Sequence, residues 1–182
     1  MGMRGMLRWV LIVGVCLLPA QVLATVYYSK DEAFELAFGK DAAVESIPVF
    51  LTDEQVGQIE KAARVKVDSK LVTFYEGRRG DRPLGYAAIE SHLVRSQQET
   101  LLIVLSPSGE LTRIEVLAFH EPPEYQSPVR WLQRLYRRTV ADLVLNQGID
   151  GIAGATLSSR VVLDGTSKVM AIYQLALKEE RG

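Results

Sequence analysis

The stretch GIDGIAGATLSSRVV, residues 148 to 162, puts three glycines at three-residue spacing ahead of a threonine and two serines. A glycine-rich turn that feeds a helix can hold an anion, because the first backbone N–H groups of a helix have no intrahelical partner and the helix dipole is positive there. Two nucleotide signatures fail on spacing. Gly148, Gly151 and Gly154 do not make G-x-G-x-x-G, and no Gly-Lys-Ser/Thr follows to give a P-loop its lysine. Thr156 at the helix start, with Ser158 and Ser159 behind it, therefore reads either as ordinary helix capping or as a hydroxyl presented to a phosphate.

Other residue groups carry less chemistry. Glu121 and Glu124 could form an acid–base pair, but nothing places a substrate between them. His92 and His120 are too few and too far apart for a metal site; His92 is expected to face solvent from a strand, and His120 to lie on a surface loop. Arg130, Arg134, Arg137 and Arg138 fall on one face of an expected helix. That face is a solvated one by default, with docking of an acidic redox partner as the alternative. Trp131 is expected to be an anchor in the core or at the surface.

The elements that must position these groups follow from capping and periodicity. Ser29 with Glu32 and Thr52 with Gln55 are capping boxes, each opening a short helix. Ala33, Phe34, Ala37 and Phe38 line one face of the first helix and Gly39 ends it; Val56, Ile59 and Ala63 line the second. SIPVF between them reads as an extended link. From Val65 to Phe119 the period changes to two, with turn residues at GRRGDRP and SPSGE, which predicts a mostly antiparallel sheet of about four strands. HEPPEYQSP is a proline-rich loop, PVRWLQRLYRRTVADLVL is expected to be helical from Pro128, and a last helix is expected from Ser158 to Leu177. The fold class is α+β, a single domain of antiparallel sheet with flanking helices.

The first 24 residues form a separate object. Arg4 and Arg8 precede the apolar run WVLIVGVCLLP, and QVLA closes it, the layout of a secretory signal with cleavage between Ala24 and Thr25. An uncleaved N-terminal anchor is the alternative, though the run is shorter than the roughly 20 residues that a membrane span needs. The expected boundaries are thus 1–24 signal, 25–65 a helical segment, and 66–182 the main domain. Cys16, the lone cysteine, falls in the apolar run. Once exported and trimmed, the chain has no disulfide, thiolate metal site, iron–sulfur cluster or c-type haem. A formal net charge of −1 gives no field that would draw nucleic acid.

The order of residues in DGIAGATLSS resembles the flavinylation motif of the FMN-binding domain family, which includes the flavin subunits of sodium-pumping NADH:quinone oxidoreductase and of Rnf-type electron-transfer complexes. The family pattern is an aspartate, two or so variable residues, a small residue, Gly-Ala-Thr, an apolar residue and a hydroxyl residue. Here these are Asp150, Ala153, Gly154, Ala155, Thr156, Leu157 and Ser158; many relatives have Ser or Thr in place of Ala153. The resemblance implies FMN held through a phosphoester to Thr156, installed by a separate flavin transferase, with Ser158 and Ser159 donating hydrogen bonds to the phosphate. RIEVLAFHEPPEYQSP is similar to the family's strand and Glu-x-Pro turn beside the isoalloxazine, which implies ring contacts from Glu121, Pro122 and Tyr125. The resemblance covers about residues 70 to 178. Together with the signal-like first 24 residues, it points to an exported, periplasmic electron carrier rather than a stand-alone enzyme, working with a redox partner protein that can be membrane-bound. A non-covalent FMN-binding regulatory module and a flavin-dependent reductase are the alternatives.

Overall fold

The computed structural model describes residues 25–178; the expected signal segment lies outside them. Six strands form one sheet in the order β1-β6-β5-β4-β3-β2. They are β1 (Thr25–Val26), β2 (Ala43–Phe50), β3 (Leu71–Arg79), β4 (Arg82–Leu93), β5 (Gln98–Leu105) and β6 (Leu111–Phe119). All neighbours are antiparallel. Four helices flank the sheet: α1 (Lys30–Phe38), α2 (Asp53–Ala63), α3 (Val129–Gln133) and α4 (Thr156–Ile172), the last continuing as a π turn over Tyr173–Leu177. Among the described residues no helix is long and apolar enough to cross a membrane.

Strand alternation divides the side chains into two cores. Phe74, Ala88, Leu101, Ile103, Leu105 and Ile114 meet Ile59 of α2, Trp131 and Leu132 of α3, and Val162, Val169 and Ile172 of α4 on one face. Ala87, Leu102, Val104 and Leu117 meet Ala33 and Phe38 of α1 on the other. The Phe38 ring lies where a side chain at Gly77 would stand, so α1 sits close against β3. Both capping boxes form, with Ser29 accepting from the Glu32 N–H and Thr52 from the Gln55 N–H.

Three expectations change. SIPVF is not a link: it is the heart of β2, paired with β3 from Ala43↔Arg78 to Phe50↔Leu71, so the segment 25–65 supplies two edge strands as well as two helices. The helix expected across residues 128–145 stops after Gln133. Arg137 takes a left-handed conformation (φ 62°) and its N–H donates to the Leu111 carbonyl, while the Tyr136 hydroxyl accepts from the Ile114 N–H. The chain unwinds there to bond the start of β6, and the four arginines, though exposed, do not share a helix. His92 does not face solvent. Even-numbered residues of β4 point toward α4, so its ring packs beside Gly165, with Nε2 2.9 Å from the fully buried Glu99 carboxylate.

Candidate functional site

Thr156 is the first residue of α4, and the residue before it, Ala155, makes no side-chain cap bond. The opening amides of the helix therefore face outward without a capping partner. Gly154, at φ 84°, turns the chain into the helix in a conformation that strains residues with a side chain, and the space beside it is open. Thr156 and Leu157 are exposed, and the Thr156 hydroxyl donates to the Ile152 carbonyl at 3.2 Å.

A cleft of about 270 Å³ opens there, lined by Gly154, Ala155, Thr156, Leu157 and Ser158 on one side and by Val94, Arg95 and Tyr125 on the other. The helix wall is fixed by neutral groups. The Trp131 indole N–H donates to the Asp150 carbonyl at 2.8 Å, tying α3 to the glycine-rich loop. The Ser158 hydroxyl donates to the Tyr125 carbonyl, which joins the two walls.

The opposite wall is the turn between β4 and β5. Its residues Arg95, Ser96 and Gln97 donate their backbone N–H groups to one oxygen of Glu121, at 3.2, 2.7 and 2.9 Å, and the Ser96 hydroxyl adds a fourth contact at 3.3 Å. These bonds, that from Ser96 first, hold the Glu121 carboxyl below the usual carboxylate range against the opposing effect of burial. The Arg95 guanidinium lies 5.0 Å from the centre of the Tyr125 ring, so the wall presents a cation and an aromatic face together.

The structure therefore brings together Gly154, Ala155, Thr156, Leu157, Ser158 and Tyr125 from the expected set. Asp150 is exposed outside the cleft lining and serves through its carbonyl. Pro122 is half-buried and its carbonyl accepts from the Tyr125 N–H, starting the turn that places Tyr125. Ser158 and Ser159 were expected to donate to a phosphate; both are buried instead, and Ser159 donates to the Ala155 carbonyl at 2.9 Å. Most buried hydroxyls are paired, and the partner of each of these is a backbone carbonyl. Glu121 gathers three backbone amides on one oxygen. Val94 and Arg95 carry no signal of their own in the sequence, where they read as the end of a strand and a turn.

The residues present suit FMN. Unpartnered helix amides and an arginine can hold a phosphate, an open glycine leaves room at its approach, and Tyr125 with Leu157 offers apolar surface to a flat ring. Residues 96–171 match the family model of the FMN-binding domain. Among curated proteins, none matches the chain. Residues 96–171 thus form a domain of the FMN-binding family, and the protein is an FMN-binding flavoprotein.

Proposed function

We propose that Thr156 carries FMN through a phosphoester from its Oγ1 and that the protein is an exported, periplasmic electron carrier. The observation that carries this is the position of Thr156: exposed, at an uncapped helix start, beside an open glycine, in a cleft that also offers Arg95. FMN supplies the electron-accepting and electron-donating chemistry. The chain's own residues orient and tune: helix amides and Arg95 balance the phosphate charge, and Tyr125 and Leu157 flank the ring. Attachment needs a separate flavin transferase, and electron flow needs a redox partner protein, membrane-bound or soluble. Covalent attachment suits export, where a free cofactor would be lost by dilution.

The test is the intact mass of protein made in cells that possess a flavin transferase, together with its colour after acid denaturation. The wild type should retain one FMN increment and its yellow colour in the precipitate, Thr156→Ser should retain a measurable fraction, and Thr156→Ala none. Flavin released wholly to the supernatant from the wild type would refute the ester. A non-covalent module is the second reading, favoured by one contact: the Thr156 hydroxyl is already engaged with the Ile152 carbonyl, as a structural threonine would be.

A further inference from the structure

A second cavity lies away from the Thr156 cleft, and it arises from a break in the sheet. The ladder between β3 and β4 runs from Arg79↔Arg82 to Phe74↔Ala88 and stops. Neither strand ends there: β3 continues against β2 to Leu71↔Phe50, and β4 continues against β5 to Leu93↔Gln98. The two strands fork. Between them opens a cavity of about 510 Å³, lined on one side by Leu71, Val72 and Thr73 and on the other by Ile89, Glu90 and Ser91.

The direction of the backbone groups in the fork follows from neighbouring bonds. The Val94 N–H donates to the Gln97 carbonyl, so even-numbered residues at this end of β4 bond to β5. Ile89, Ser91 and Leu93 therefore turn their N–H and C=O groups toward the fork. On the other lip, the Ser69 hydroxyl both accepts from the Leu71 N–H at 3.1 Å and donates to the Leu71 carbonyl at 2.9 Å, filling the place of a missing strand partner. No register pair joins Ser91 or Leu93 to β3 across the gap. On the α4 side the Lys168 ammonium stands 2.6 Å from Glu90, both largely buried, and fixes the β4 lip to the helix.

We propose that this fork is a binding site for an extended peptide segment of a partner protein, which adds as a strand to the inner edge of β4 from Ile89 to Leu93. Open strand edges take up main chain, whose hydrogen bonds give affinity while side-chain pockets give selectivity. The outer edge strand β2 is protected against such pairing by Pro48, whereas neither lip of the fork contains a proline. Leu71, Val72, Ile89 and Tyr75 supply apolar walls for alternate side chains of the incoming strand. The site is separate from the flavin cleft: Lys168 lies about 18 Å along α4 from Thr156 at the helical rise per residue. The proposal does not depend on how the flavin is held.

The test uses the full chain as bait for an unbiased display library of ten-residue peptides, followed by hydrogen exchange with the enriched peptides. The expected result is enrichment of extended sequences that slow exchange at Ser91 and Leu93. Ser91→Pro removes the fork-facing N–H together with the hydroxyl that bonds Thr100 of β5 at 3.0 Å, leaving the β4–β5 backbone ladder, and should weaken their binding at least tenfold, whereas Ser91→Ala, which removes the same hydroxyl and keeps the N–H, should leave it within about twofold. Unchanged exchange at β5 and an unchanged melting temperature show that Ser91→Pro is folded; if it is not, protection of the amides at positions 91 and 93 in Ser91→Ala decides the matter. No enrichment, equal binding to a folded Ser91→Pro, or protection confined to other segments overturns the proposal. Protection of the fork by riboflavin alone, with no peptide enriched, would overturn it in favour of a small flat ligand.

Discussion

The two walls of the Thr156 cleft are built by opposite means. The helix wall, Gly154 to Ser158, is held by neutral donors, the Trp131 indole and two serine hydroxyls, acting on backbone carbonyls. The turn wall, Val94 to Gln97, is held by one carboxylate that gathers three backbone amides. The difference matters because a charged acceptor concentrates stability in one atom and ties it to pH, while neutral bonds spread it and do not titrate.

Glu121→Ala should break the comparison most sharply. It leaves three amides of a turn without their acceptor and should cost about 3 kcal/mol, read as a lowered denaturation midpoint with fast exchange at residues 95–97. Glu121→Gln keeps an oxygen in place and should lose less than half as much, which isolates the contribution of the charge. Acid should do the same reversibly. Because the Glu121 pKa is lowered on folding, its stabilisation is present above the ordinary value of about 4.3 and is lost as the pH falls through the folded value. Protection of the amides at 95–97, corrected for the intrinsic pH dependence of exchange, should therefore fall as the pH drops below that ordinary value, while protection at Ala155 and Ser159, whose amides bond to carbonyls, should not; equal loss on both walls would remove the distinction.

On the helix wall the effects should be smaller. Trp131→Phe keeps the packing but loses the bond to the Asp150 carbonyl, for about 1 kcal/mol with no pH dependence. Gly154→Ala meets no obstacle in space but must hold a side chain at φ 84°, which should cost about 1 kcal/mol and, on the proposed Thr156 ester, slow the gain of flavin mass relative to wild type in a timed assay.

Much of the frame was legible because its signals are local. Ser29 and Glu32, or Thr52 and Gln55, are three residues apart and specify a helix start by themselves. The alternation in β4 to β6 is likewise written in neighbouring residues, and Gly154-Ala155-Thr156 fell at the helix start where the motif requires it. What was not legible depends on residues far apart in the chain. β2 carries Pro48 and mostly exposed side chains, and only its ladder with β3 makes it a strand. Arg137 leaves a helical pattern because Leu111 offers an acceptor. The bonds to Glu121 were not legible either, because nothing in its own neighbourhood shows that residues 95–97 would aim three amides at it. The partners of the serine hydroxyls were hidden for the same reason: helical spacing gives their face but not the carbonyl that each one bonds.

The strand order has a consequence for how the molecule assembles. β3 to β6 follow one another through short turns and pair in sequence order, so this part of the sheet can form by successive hairpins, and β2 joins β3 across the longer connection that holds α2. β1 is the exception, because Thr25 and Val26 pair with Phe119 and Ala118 near the end of β6, and the Tyr27 hydroxyl donates to Gln126 beyond it. That contact waits on most of the polypeptide. The first residues of the described chain should be among the last to find their place, and refolding followed by hydrogen exchange should show β1 protected after the central strands.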